Sequence, residues 1–284
     1  MCYSKEVSLI AGGTIFSFST INFIKYKLYE CFKGFTKSDR QRQMILWLTL
    51  GYLSIGVHQI LEFFAIHLES HIIYKFGLIS SISAMYFNMR ATESLLFKNY
   101  GSRIYLLLIV LCSVHIFSRD MSFQNHHFYI RGESHFYWGA VWMLLFLYWN
   151  FLHLFTFFKT KKKVALLLPF CSLNLSFILS ALYCYSIGLY QEVNGHNNLA
   201  SVCGGLLSNF EIVFDAPSIW CVFATLQGPL LLYFSRFVYT RDIFNNSAQN
   251  VSVKYPILLT LLLVSIIFIS LPLFSALSYK MILK

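Results

Sequence analysis

His58, Gln59 and Glu62 fall within one apolar stretch running from Met44 to His67. A spacing of four residues puts His58 and Glu62 on the same helix face, about 6 Å apart along the axis. An imidazole and a carboxylate so placed can share a proton or a metal ion. Lipid alone does not tolerate them, because a charged side chain at the centre of a membrane helix costs roughly 2.5 to 3.5 kcal/mol on insertion scales. One histidine and one carboxylate make an incomplete zinc site, which takes three or four protein ligands. The candidates to complete it are His126, His127 and Asp215, with Cys2 and Cys221 as soft ligands. The plainer alternative is a buried hydrogen-bonded pair that ties helices together.

The elements that must hold these groups are membrane helices. Of 284 residues 57% are hydrophobic, 18% aromatic and only 12% charged, far from the roughly 25% charged of soluble domains. Apolar runs near the 20-residue length of a bilayer crossing occur at about 7–24, 44–67, 76–97, 104–118, 137–158, 164–187, 217–237 and 256–279. The expectation is an all-α polytopic bundle of about eight transmembrane helices over residues 1–284, a single unit with no separate soluble domain. A seven-span count stays open, because the fourth run is short and the third carries Arg90 and Glu93. Those two, three residues apart, read as an ion pair at the interface with Arg90 snorkelling, or as the inner element of a relay.

Charge sets the orientation. With the N-terminus outside, only Lys5, Lys75, Arg119, Arg131, Lys280 and Lys284 of the 22 Lys and Arg residues fall on the outer side. The positive-inside rule then places both termini outside the cytoplasm. The net charge of +10 is a topology signal, and no nucleic-acid partner is expected. The first run lacks a basic segment ahead of it and is expected to insert as a span rather than act as a cleaved signal. The same topology puts every histidine except His153 at midplane or on the outer side. None of the seven cysteines forms a CxxC pair. Cys2 reads as an ordinary terminal residue or as a disulfide partner for Cys203 or Cys221, and the pairing is open.

The opening Met1-Cys2-Tyr3-Ser4-Lys5-Glu6-Val7-Ser8-Leu9, the stretch His58-Gln59-Ile60-Leu61-Glu62, the pair His126-His127 and Ser218-Ile219-Trp220-Cys221 together resemble an uncharacterised family of multi-pass bacterial membrane proteins. Its members begin Met-Cys-aromatic-Ser-x-Glu, carry His-Gln-x-x-Glu in the second span and open a late span with Trp-Cys. The resemblance covers the first seven spans. It implies a multi-pass protein of the bacterial inner membrane and adds Cys2, Glu6, the His126-His127 pair and Trp220-Cys221 as candidate partners of the site, with Gln59 and Asp215 as further pocket residues. Trp220 also reads as an aromatic anchor at the membrane surface.

The leading functional expectation is an outward-facing intramembrane site on His58 and Glu62 that binds protons or a metal ion, in a carrier or sensor. His126, His127 and Cys221 are the expected further metal ligands, and a transition metal such as zinc is the expected cofactor. Two enzymatic alternatives remain. In one, a zinc-bound water attacks a lipid amide or ester with Glu62 as base, by analogy with the alkaline ceramidase and adiponectin receptor superfamily, whose late His-x-x-x-His pair this chain lacks. In the other, Cys2 is a nucleophile with His126 or His127 as base. A purely structural membrane protein is the third reading. The expected partners are the lipid bilayer and a small ion or lipid.

Overall fold

The computed structural model describes residues 5–32, 40–96, 101–124, 127–130, 134–161, 163–169, 174–175 and 223–240, with positions 256, 258, 259 and 262. Its helices are α1 (Lys5–Lys25), α2 (Arg40–His67), α3 (His71–Leu96), α4 (Gly101–Ser118), α5 (Ser134–Thr160), α6 (Val164–Pro169) and α7 (Gln227–Thr240). A 3-10 turn at Leu28–Phe32 follows α1. Three segments are long and apolar enough to cross a membrane: Glu6–Lys25, Arg40–His67 and Gly101–Ser118. The molecule is therefore helical with membrane character. The fourth expected span, short at 104–118, starts earlier and reaches 18 residues as α4. Most of the expected spans 164–187 and 256–279, and the start of 217–237, lie outside the described residues.

α4 illustrates why these segments suit lipid. Its inner face buries Tyr105, Ile109, Cys112 and Ile116, while Ile104, Leu107, Leu111 and Val114 on the other face are exposed. A helix apolar on every side gains nothing from water and is expected where hydrocarbon covers its outer face. α3 is as long as a span but carries Lys75, Arg90 and Glu93, so its burial has to come from neighbouring helices.

α2 is the centre of the bundle. It packs between α1 and α3, and α7 lies against both α1 and α2. The crossing of α1 and α2 depends on two glycines. A Cβ on Gly12 would sit 2.9 Å from the Gly56 carbonyl oxygen and 2.8 Å from Ile60, and one on Gly56 would sit 3.2 Å from the Phe16 nitrogen. Small residues let the two backbones touch, which is how helices associate where no hydrophobic force separates them from lipid. Below this crossing the core gathers Ile15, Tyr52, Ile55, Met85, Met89, Trp149 and Phe234.

α2 passes to α3 through three residues. Ser70 N–H bonds the Ala65 carbonyl at 2.9 Å while Glu69 takes a φ of 51°, the left-handed ending that closes a helix. A turn this short makes α2 and α3 an antiparallel hairpin. At the opposite end of α2, Arg42 holds Glu30 at 2.9 Å, joining the 3-10 turn to the start of the helix. Burial raises the Tyr26 phenol there above its usual range, with the Arg236 guanidinium pulling it partly back.

The loop after α4 is not wholly irregular. Strands β1 (Met121–Gln124) and β2 (His127–Ile130) pair antiparallel, Met121 opposite Ile130 and Gln124 opposite His127. This hairpin is the one departure among the described residues from the all-α expectation. Phe123, Phe128, Tyr129 and Ile130 are strand-favouring residues around a two-residue connection, a length that hairpins prefer.

Candidate intramembrane polar site

Glu62 lies on the buried side of α2 at 5% exposure. The Ser8 hydroxyl, in the second turn of α1, donates to its Oε2 at 2.9 Å. Gln59, one turn earlier, is fully buried at 0%. Its Cβ lies 3.0 Å from the position a Gly12 Cβ would take, so Gln59 and Glu62 both meet α1, at Gly12 and Ser8. Neither the Oε1 nor the Nε2 of Gln59 has a hydrogen-bond partner among the described residues. The α1 and α2 interface thus holds a carboxylate, a hydroxyl and an unsatisfied amide within about one helical turn.

His58 belongs to a different contact. Its Nδ1 is 2.9 Å from the Gly77 carbonyl oxygen on α3, and because a carbonyl only accepts, Nδ1 is the nitrogen that carries the hydrogen. Gly77 makes room for the ring, since a Cβ there would stand 3.5 Å from that nitrogen. His58 therefore bonds toward α3 while Glu62 bonds toward α1. Among the described residues no three His, Cys, Asp or Glu side chains are gathered as a metal would require. Glu6 lies in the first turn of α1 with an exposed side chain, and His127 lies on β2. Cys2, His126, Asp215, Trp220 and Cys221 fall outside the described residues.

A second polar contact lies at the other end of the same interface, away from Ser8 and Glu62. The Asn22 amide on α1 donates to Thr49 Oγ1 on α2 at 2.7 Å and to Ser235 Oγ on α7 at 2.9 Å. All three residues are buried. One amide thus joins three helices, each such bond contributing about 0.6 kcal/mol in membrane bundles.

Arg90 and Glu93 form an ion pair at 3.2 Å, and the pair is a clamp between helices. Glu93 Oε1 accepts the Ser102 backbone N–H at 2.7 Å, placing a negative charge at the start of α4, where the helix dipole favours it. The Arg90 guanidinium lies 4.8 Å from the centre of the Trp47 ring on α2, in cation–π range.

The polar centre that sequence reasoning missed is built on His153. It is 1% exposed and spans three helices: Nδ1 faces the Ala165 carbonyl of α6 at 2.9 Å, and Nε2 faces Thr92 Oγ1 of α3 at 2.7 Å. Trp149 Nε1 donates to the same hydroxyl at 2.9 Å. Pro169 explains the first bond. It stands four residues after Ala165 and has no N–H, so the Ala165 carbonyl loses its helical donor, and His153 supplies one from the side. Nδ1 must then carry a hydrogen. In the neutral ring Thr92 gives its only hydrogen to Nε2, and in the charged ring it gives it to the Asn88 carbonyl, 2.9 Å away. Beside this centre lies a cavity of about 400 Å³ lined by Asn150, His153, Leu166, Pro169 and Asn174 among others. The one signal in the sequence was Pro169, whose spacing marks Ala165 as needing a donor.

No protein-family model, curated protein or solved structure matches this chain.

Proposed function

We propose that this chain is a multi-pass membrane protein of eight spans with both termini outside the cytoplasm, in which Glu62 takes up a proton or small cation from the outer side as part of a carrier or sensor. The observation that carries this reading is a carboxyl at 5% exposure inside a helix apolar enough to cross the membrane, with a hydroxyl hydrogen-bonded to it. A leucine there would favour insertion where an ionised carboxylate opposes it by roughly 2.5 to 3.5 kcal/mol. An acid in that position gains a use only if its charge changes or is compensated. His58, one turn away with Nε2 available on the neutral ring, is the proton relay partner on this reading. The bacterial inner membrane is the proposed location, on the strength of the family resemblance.

Reconstituted vesicles carrying an imposed pH gradient test the proposal. Wild-type protein is expected to give pH-dependent flux, read by an entrapped dye, which Glu62→Gln abolishes. Should the dye record no flux, and a pH jump on the detergent-solubilised protein show no proton uptake that depends on Glu62, the reading is overturned. Elemental analysis of the purified protein addresses the transition-metal form: zinc, iron or copper in near-stoichiometric amount, lost in the double variant His58→Ala, Glu62→Ala, is what that form requires.

A further inference from the structure

α1 and α7 run side by side toward one end of the bundle, and the seam between them ends in basic residues. The Asn22 amide of α1 meets Ser235 Oγ of α7 at 2.9 Å. Four residues on from each, the Tyr26 and Tyr239 rings pack with centroids 5.2 Å apart. Two cations flank this aromatic pair. The Lys25 ammonium lies 5.6 Å from the centre of the Tyr26 ring, within cation–π range, and the Arg236 guanidinium is close enough to the same phenol to act on it electrostatically. Both residues are exposed, as is Lys27 two residues further on.

No acid of these elements offsets the charge. α7 has none, and from Lys5 to Phe32 there are only Glu6, at the far end of α1, and Glu30, which Arg42 of α2 holds at 2.9 Å. Neither Lys25 nor Arg236 is paired with a carboxylate among the described residues. Two like charges about one phenol repel, and an anion between them removes the repulsion.

The surface beside the cations narrows what that anion is. Ile21 and Ile24 on α1 are 50% and 65% exposed, and Tyr233 on α7 is 61% exposed. Ile21 stands four residues before Lys25 and Tyr233 three before Arg236, so each cation continues an exposed apolar stripe. Lys25 is also the last residue of a segment apolar enough to cross a membrane. Charge at the end of such a stripe matches the depth of lipid headgroups, where tyrosines also concentrate, and acyl chains cover the stripe itself. A free phosphate would engage the cations alone, whereas a phospholipid engages both. A net negative headgroup gains most, since a zwitterionic one brings its own cation. We propose that Lys25 and Arg236, at the seam of α1 and α7, bind the phosphate of an anionic phospholipid whose acyl chains lie along Ile21, Ile24 and Tyr233. The site lies at the opposite end of α1 from Ser8 and does not depend on the role of Glu62.

Native mass spectrometry of the purified full-length protein, released from mixed micelles, measures which lipids stay bound. Phosphatidylglycerol is expected to bind more tightly than phosphatidylcholine of the same acyl chains. Lys25→Gln and Arg236→Gln should each weaken phosphatidylglycerol binding about fivefold, equivalent to about 1 kcal/mol per basic residue at a membrane surface, and leave phosphatidylcholine unchanged. Lys25→Arg keeps the charge and should keep the affinity. Arg103→Gln removes an exposed cation from the start of α4, at the same end of the bundle but on a helix packed against α3, and should change nothing. The substituted positions are all exposed, and elution volume with thermal unfolding checks that the variants fold. Equal loss of binding in Arg103→Gln would show a diffuse charge effect and overturn the site. Phosphatidylglycerol binding that neither seam variant weakens overturns it as well. Inorganic phosphate that displaces the lipid as effectively as a short-chain phosphatidylglycerol does would assign the cations to a free phosphate and overturn the lipid.

Discussion

At the scale of single residues, the polar groups of this bundle differ in what they hold and what they leave open. His153 is fully engaged, with one nitrogen on the Ala165 carbonyl and the other on Thr92. A His153→Phe substitution should cost about 1 to 3 kcal/mol, the penalty of an unsatisfied buried acceptor. Adding Pro169→Ala should recover part of it, since residue 169 would regain an N–H for the same carbonyl. A double-mutant cycle on thermal unfolding in detergent measures the coupling, and additivity within about 0.5 kcal/mol would show that His153 does not serve that carbonyl. Gln59 and Asn88 are the reverse case, both at 0% exposure and both with amide atoms unpartnered among the described residues. The sequence makes Glu62 stand out because an acid in an apolar run is visible in one dimension. Which helix each side chain meets is not visible there. His58 and Glu62 share a spacing of four and still bond to α3 and α1 respectively, because α2 is flanked by both helices.

At the scale of elements, the α1 and α2 crossing sets the geometry of the site. A Gly12→Ala substitution puts a methyl within 3.0 Å of Gly56, Gln59 and Ile60. It should push the helices apart at a cost of about 1 to 3 kcal/mol, as overpacking does. The neighbouring Gly13 has nothing within 4 Å of its added Cβ, so Gly13→Ala should be neutral or slightly stabilising through helix propensity. Thermal unfolding of the two variants side by side is the check, and equal destabilisation would contradict the crossing. Two adjacent glycines in an apolar run are legible as close packing, but the face that meets α2 emerges only with the partner helix. The α3 boundary is a similar case. Its expected start at 76 follows apolar content, whereas the helix begins at His71 because the short turn at Glu69 and Ser70 launches it directly from α2.

At the scale of the whole molecule, labelling can test the proposed orientation, which follows from the distribution of lysine and arginine. Asp120 after α4 and Lys161 after α5 are both exposed, on opposite sides in the proposed eight-span topology. In intact cells a membrane-impermeant maleimide should modify Asp120→Cys, and Lys161→Cys only after permeabilisation, with wild type as the reference for native thiols. Modification of both in intact cells would rule out that topology. Composition makes the membrane class legible because lipid imposes a single requirement on every outward face. It says much less about the hairpin at Met121–Ile130, whose short strands carry no long-range pattern, or about the inner arrangement of α3, α5 and α6, where single polar contacts replace hydrophobic periodicity.

The bond between His153 and the Ala165 carbonyl also bears on biogenesis. Alone in the membrane, α6 would present a bare carbonyl to hydrocarbon, a penalty of several kcal/mol per unsatisfied group. α5 precedes it in the chain and brings the imidazole that cancels the penalty. In the proposed eight-span topology the two helices would therefore leave the translocon best as a hairpin, with Thr92 of α3 receiving the far side of the ring.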